Sequence, residues 1–393
     1  MKPFAILLAA TALSACSTGE EAVKAPEAPL HSRMLVLDTH LDTPLHFERQ
    51  GWSFADRHGP TDDMVQIDIP RMQDGNLDGG FFVIYTEQGA LDAKGYADAL
   101  AFARARSDLI DATIARHSNL IGAARTVADA RTLTKTGKLI AFKSMENSYP
   151  LGEDLALLAE FHQKGVRMAG PVHSRTNQFA DSATGEARWN GLSPLGKRWV
   201  AEMNRLGIVI DASHASDAAF DQLLALSEYP IILSHSSLRS TNDHPRNLDE
   251  ARLKALAAKG GAMCISTIFM SDMNMTPARA ALFGQYERIG TLAPAEQAEL
   301  NRKWRALDKV EPLWAADFEQ YMTMVLRAIE VGGVDHICFG ADWDGGGGLT
   351  GIEDISALPK VTERLKAAGY SDGDIEKMWS GNILRILAAQ QAR

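Results

Sequence analysis

The sequence predicts an α/β fold, a (β/α)8 TIM barrel, and three observations carry the prediction. Short β-branched or apolar runs alternate with amphipathic stretches of helical length from about residue 34 onward; eight such runs can be counted; and ionisable residues recur where the runs end. Eight strands interleaved with helices favour a closed parallel barrel over an open doubly wound sheet. The chain has 393 residues, 46% hydrophobic and 23% charged, enough for a large core, and a barrel with insertions accommodates that length as one domain.

Taken in order, the chain opens with a segment that resembles an export signal. Met1-Lys2 supplies a short positive start, and Phe4 to Leu13 is an apolar run too short to span a bilayer as a mature helix. Leu13-Ser14-Ala15-Cys16 follows and resembles the lipobox of bacterial lipoproteins, in which cleavage leaves Cys16 as a lipidated N-terminal residue. An ordinary signal peptide cut near Ala15 is the alternative. The expected organisation is a lipoprotein-type signal over 1–15, a flexible tether over 16–30 and a single domain over 31–393. The protein is then expected outside the cytoplasm, lipid-anchored to the bacterial envelope, on the periplasmic side of the outer membrane.

The eight predicted strands are Met34–Asp38, Gly80–Tyr85, Leu139–Lys143, Val166–Val172, Ile208–Ala212, Ile231–Ser234, Gly261–Ser266 and His336–Gly340. Helical patterns lie between them at Tyr96–Arg116, Leu151–Gln163, Pro194–Leu206, Ser216–Ser227, Leu248–Lys259 and Phe318–Val331. Gly165, Gly207 and Gly260 follow helices where a left-handed cap is needed. Ser271 to Ala316 is a polar and helical insertion before the last strand, and insertions after barrel strands normally build part of the active-site mouth.

Net charge is −10 and no Lys/Arg run tracks along the chain, which excludes a phosphate-backbone partner. Cys264 and Cys338 sit in apolar strand-like runs without metal-ligand spacing, so they are expected to be buried free thiols, although an oxidising compartment would let them pair.

The chemistry gathers at strand ends, where barrel active sites are assembled. The first strand is followed by His40 and Asp42, two apart on an extended segment and so on one face, able to grip one metal ion with an imidazole and a carboxylate. The third run leads to Glu146, which at that height could bridge two metals or act as a helix N-terminal charge. The next three strands end in His173, His214 and His235, a repetition that packing alone rarely produces. The remaining histidines fall on the tether, loops, helices or a strand start and are read as structural, with His46 and His58 as candidate lip residues. After the last strand, Gly340-Ala341-Asp342-Trp343-Asp344 runs into four glycines that allow a sharp turn. Asp342 is suited to general acid/base work, and Asp344 to stabilising the turn. No G-x-S-x-G elbow, Walker loop or G-x-G-x-x-G is present, which leaves metal-assisted hydrolysis.

Asp38-Thr39-His40-Leu41-Asp42, Ile69-Pro70-Arg71 with Gly79-Gly80-Phe81-Phe82, the S-H-A-S and S-H-S-S segments, Arg246-Asn247 and G-A-D-W-D-G together resemble the membrane (renal) dipeptidase family of zinc peptidases, over about residues 34 to 390. The tail Trp379-Ser380-Gly381-Asn382-Ile383-Leu384-Arg385 is similar to that family's closing pattern. The resemblance implies that His40 and Asp42 hold one zinc ion, His214 and His235 a second, and Glu146 bridges both. It further implies that His173 contacts the scissile carbonyl region, Arg246 pairs with the substrate's free carboxylate, and Asp342 shuttles the proton. Two departures touch neighbours of the ligands: Leu41 stands where Asn is usual, and Met145 and Asn147 flank Glu146 where glycines are common. The implied enzyme is a binuclear zinc metallo-dipeptidase acting on L-L and L-D dipeptides through a metal-bridging hydroxide, and family members commonly form homodimers. A related amide hydrolase acting on N-acyl amino acids or lactams is the alternative, and a lipoprotein that binds peptide or metal without turnover is a third reading.

Overall fold

A computed structural model describes residues 28–59 and 63–391. Cys16 and nearly all of the signal and tether lie outside the described residues. Among the described residues no helix is long and apolar enough to cross a membrane.

Among the described residues there are nine strands, all pairing in parallel: β1 Leu37–Leu41, β2 Gly79–Tyr85, β3 Ile121–Ala123, β4 Leu139–Glu146, β5 Val166–Ala169, β6 Val209–Ile210, β7 Ile232–Ser236, β8 Ala262–Ile265 and β9 Ile337–Phe339. Two ladders form, β1-β2-β4-β5-β6 and β7-β8-β9. They meet at two seams, each made by a short bridge. Asp211 pairs with Ile232, where the Ala212 amide donates to the Ile232 carbonyl at 2.7 Å; Leu41 pairs with Trp343, where the Asp42 amide donates to the Trp343 carbonyl at 2.9 Å. The result is the expected eight-stranded barrel, with β3 as an additional strand. β3 pairs only with the lower half of β4, Leu139 to Ala141, below the stretch that β5 covers.

Side chains alternate along β4, so Ile140 and Phe142 point to the barrel interior and Glu146 emerges at its top. Phe142 joins Leu37, Phe81, Met168, Val209 and Ile232 in the buried lumen, which Ile383, Ile386 and Leu387 of the C-terminal helix Asn382–Gln391 help to seal. Cys264 and Cys338 belong to the same cluster, directly opposite one another on β8 and β9, and they form a disulfide. The expectation of free thiols is therefore corrected. Its physical reason is register: two cysteines 74 residues apart become cross-strand partners once the last two strands pair.

The helices lie close to their expected bounds, and Ser193, Ser216 and Asp249 cap three of them by accepting from backbone amides three residues on. Gly207 and Gly260 take the left-handed φ values, 74° and 76°, that the C-terminal turns demand. The insertion forms two helices, Pro277–Tyr286 and Pro294–Asp308, packed over the loop that follows β9. His31, one of the histidines read as structural, is buried; its ring reaches Thr362 Oγ1 at 2.6 Å and the Gly75 carbonyl at 2.9 Å.

Candidate metal centre

The C-terminal ends of β1, β4, β7 and β9 and the turn after β6 bring His40, Asp42, Glu146, His214, His235 and Asp342 together. Local backbone chemistry aims them. Asp38 and Asp211 each accept from the amide two residues on, His40 N at 2.8 Å and Ser213 N at 3.0 Å, which turns the chain at the top of its strand. His214, Asp342 and Asp344 sit at φ of 65–67°, and Asn147, next to Glu146, at 69°. Non-glycine residues in that region cost on the order of 1–3 kcal/mol each, and such strain concentrates at functional sites. Asn147 stands where glycines are common, and its amide side chain offsets the cost by donating to the Thr86 carbonyl and accepting from the Tyr149 amide.

Glu146 is the hub. Its Oε1 lies 2.8 Å from His214 Nε2 and 3.4 Å from His235 Nε2, while its Oε2 lies 3.5 Å from His40 Nε2. His40 Nε2 is in turn 3.4 Å from Asp42 Oδ2 and 3.8 Å from Asp342 Oδ1. Three triplets, His40/Asp42/Glu146, Glu146/His214/His235 and His40/His235/Asp342, each place one ligand atom per residue within 4.8 Å of the others. His40 Nε2 is buried with no hydrogen-bond partner, and His214 and His235 point their Nε2 atoms at each other across 2.9 Å. Imidazole nitrogens about 2.0–2.1 Å from a tetrahedral zinc would be roughly 3.3 Å apart, so these spacings fit ligands converging on a cation. His214 requires one adjustment: Arg246 Nε donates to its Nδ1 at 3.0 Å, leaving the neutral ring's proton on Nε2, so ligation there would need that proton moved to Nδ1 and the Arg246 bond given up.

Burial works against charge throughout the cluster, and the neighbours decide the outcome. Burial depresses His40, yet Glu146 and Asp42 lift it well above the ordinary histidine value. His214 and His235 are held well below it by burial, reinforced by the Arg246 charge, so both offer neutral imidazoles. Burial raises Glu146, but His40, His173 and the bonds from His214 and His235 bring it well below the carboxylate range. Asp342 is driven well above that range by burial, with Asp42 and Glu146 adding repulsion.

His173 stands at the rim, its Nε2 3.8 Å from Glu146 Oε1 and its ring edge-on to Tyr85, 4.9 Å between centroids. Arg246 is 5% exposed and makes no surface ion pair; it donates to His214 Nδ1, to Ser236 Oγ at 3.2 Å and to the His235 carbonyl at 3.1 Å. His46 is not a lip residue: it is buried, held between Arg49 Nη1 at 3.1 Å and Asp344 Oδ1 at 3.7 Å. His58 is half-buried and stacks on Trp52 at 4.8 Å, donating from Nε2 to the Ser53 carbonyl rather than facing the centre. Asp344 supports the turn by accepting from Thr43 Oγ1 at 2.8 Å and the Gln66 amide at 2.6 Å, and burial pushes it up to about 7.

Sequence reasoning missed three residues. Ser234 and Asp211 lie directly beneath the imidazoles, and Gly345 runs against the carboxylates: a Cβ there would be 2.2 Å from Asp42 Oδ2 and 2.3 Å from Asp342 Oδ1. The first two were visible as the D-A-S-H and S-H-S-S segments, where the histidines drew attention from their neighbours.

An eight-stranded parallel barrel carrying this His/Asp/Glu cluster at its C-terminal mouth defines a metal-dependent hydrolase. The membrane dipeptidase family (peptidase family M19) matches residues 25–393, and the chain belongs to that family. It is 29% identical over 362 residues to the dipeptidase tcpJ of Claviceps purpurea, covering 89% of this chain and 76% of that one. Among solved structures, the probable dipeptidase PvdM from Pseudomonas aeruginosa superposes with a TM-score of 0.78 at 29% identity, covering 92% of this chain and 97% of the other. The metallopeptidase dipeptidase AC superposes at 0.73 and 25% identity, covering 92% and 99%. The chain is thus a hydrolase of the metallo-dipeptidase kind, and its family implies a dipeptide substrate.

Proposed function

We propose that this protein is a binuclear zinc dipeptidase cleaving L-L and L-D dipeptides. The observation that carries the reading is the division of Glu146: one carboxylate oxygen faces His214 and His235, and the other faces His40 beside Asp42. One carboxylate with a ligand set on each side is the arrangement of a bridge between two ions. Two zinc ions held there would supply an activated water, its pKa lowered toward about 7, and polarisation of the scissile carbonyl.

The chain's own residues do the rest. Arg246 keeps a second N–H on each terminal nitrogen beyond those given to Ser236 and His235, a fork suited to the substrate's free carboxylate. That clamp restricts substrates to very short peptides. His173, at the rim above Glu146, directs Nε2 toward the carbonyl region, where a donor stabilises negative charge developing on oxygen. Asp342, buried among like charges, takes the proton from the attacking water and returns it to the departing amine.

The reading extends to location. The apolar N-terminus with Cys16 supports export and lipid anchoring at the periplasmic side of the outer membrane, and the Cys264–Cys338 disulfide supports an oxidising compartment. A homodimer rests on the family resemblance alone.

The test is metal content together with hydrolysis of a panel of L-L and L-D dipeptides by wild type and Asp342→Asn. About two zinc ions per chain, retained in the variant while turnover falls by roughly 10²–10⁴-fold, is the expected result. Bound metal with no turnover of any dipeptide would overturn the dipeptidase reading.

A further inference from the structure

One hydroxyl beneath the cluster serves a ligand of each proposed metal. Ser234 Oγ lies 2.5 Å from Asp211 Oδ2, 2.8 Å from His235 Nδ1 and 3.3 Å from His40 Nδ1. Asp211 Oδ2 is the acceptor for that hydroxyl, and the other carboxylate oxygen is already committed to the amides of Ser213 at 3.0 Å and Ser234 at 2.9 Å. The Ser234 proton therefore points to Asp211, and the hydroxyl's lone pairs face the two rings. A ring that donates from Nδ1 presents the bare lone pair of Nε2, the atom aimed at the ion. From this geometry we infer that Asp211 and Ser234 are positioning residues that fix the donor polarity of His40 and His235 together, so that one serine hydroxyl prepares both halves of the centre for metal.

The inference rests on the reading that these imidazoles hold metal. It goes beyond it by tying the two ions to one hydrogen-bond polarity, and it makes a distinctive demand on Asp211. Replacing Asp211 by Asn keeps a carbonyl oxygen for the two backbone amides but places an NH2 against Ser234. The amide then donates to the hydroxyl, the hydroxyl must donate elsewhere, and the nearest acceptors are His235 Nδ1 and His40 Nδ1. The hydroxyl's single proton goes to the nearer of them, His235 Nδ1, and forces that ring's proton onto Nε2, where it competes with metal. Ser234→Ala, by contrast, simply removes the shared acceptor.

The experiment uses the folded metal-free protein and then zinc alone. Long-range 15N–1H correlation spectra report which nitrogen of His235 carries the proton. The expected result is Nδ1–H in wild type and Nε2–H in D211N, with metal-free melting temperatures close to wild type in S234A. On titration with zinc, both sites are expected to weaken together in S234A, and the site held by His235 in D211N, by roughly 10–100-fold. An unchanged His235 tautomer in D211N, or weakening of only one site in S234A, would overturn the inference. Wild type failing to bind zinc at all would instead overturn the metal reading, and the tautomer measurement stands apart from it because it needs no metal.

Discussion

At the scale of single residues, the site is built by close approach as much as by ligands. Gly345 follows Asp344, whose φ of 65° swings the chain back across the cluster, and the absent Cβ is what lets the backbone lie against Asp42 and Asp342. Gly345→Ala is expected to push both carboxylates aside, lowering zinc affinity and cutting kcat at least tenfold with little change in KM. Metal titration beside steady-state kinetics checks this, and unaltered binding and turnover in the alanine variant would mean that the loop has room the structure does not show. The chemistry-bearing histidines were legible because each ends a strand, a regularity visible in one dimension. Ser234, Asp211 and Gly345 were not, because their roles come from neighbours 23 to 303 residues away: Ser234 beside Asp211 and His40, Gly345 beside Asp42. A hydroxyl's partners are set by the fold, while an imidazole at a strand terminus announces itself.

At the scale of elements, periodicity placed the helices well, because caps such as Ser193 before Pro194 and Gly207 after Leu206 are written locally. Strands fared less evenly. β4 runs on from the apolar run Leu139–Lys143 to Glu146, where its site carboxylate was expected, because both faces of the strand are buried. β3 went unread because Ile121-Gly122-Ala123 is short and lacks a β-branched run, and it exists only by pairing with β4. The first short helix, Leu30–Ser32, shows how a segment without periodicity is nonetheless fixed. Its His31 is pushed down to about 4 by burial, against the opposing hydrogen bond to the Gly75 carbonyl. Because the folded state binds the proton less tightly than the unfolded chain, whose histidine titrates near 6.5, His31 favours folding fully above that value. That contribution is lost as the pH falls toward 4. The gap is worth about 3 kcal/mol. Urea unfolding at pH 7 and pH 4 is expected to show wild type losing about that much more stability than His31→Gln. Parallel losses in the two proteins would remove His31 from the account.

At the scale of the whole molecule, the barrel closes through two narrow seams, and the link that braces the strand beside the second, between Cys264 and Cys338, was left open by the sequence. β9 carries the Asp342 loop and meets β1 through one backbone bridge, Leu41 with Trp343, and two side-chain bonds, Thr39 Oγ1 to the Phe339 carbonyl and the Ala341 amide to Asp38 Oδ2, both at 3.1 Å, so its continuous backbone ladder is the one against β8. The Cys264–Cys338 disulfide lies in that ladder, inside the lumen and beneath the catalytic loop. Pairing two cysteines 74 positions apart removes loop-closure entropy from the unfolded chain worth about 4 kcal/mol on the chain-entropy view, and measured losses of native disulfides fall at roughly 2–5 kcal/mol. Residues 17–393 contain only these two cysteines, so the prediction can be read cleanly in a chain of that length. Protein recovered from an oxidising compartment is expected to show no free thiol after denaturation without reductant. The double variant Cys264→Ala/Cys338→Ala is expected to unfold at lower urea by an amount equivalent to about 2–5 kcal/mol, and adding reductant should bring wild type toward the variant while leaving the variant unmoved. Two titratable thiols in the oxidised preparation, or identical unfolding curves for the two proteins, would show that register at the β8–β9 edge is held by strand pairing and lumen packing alone.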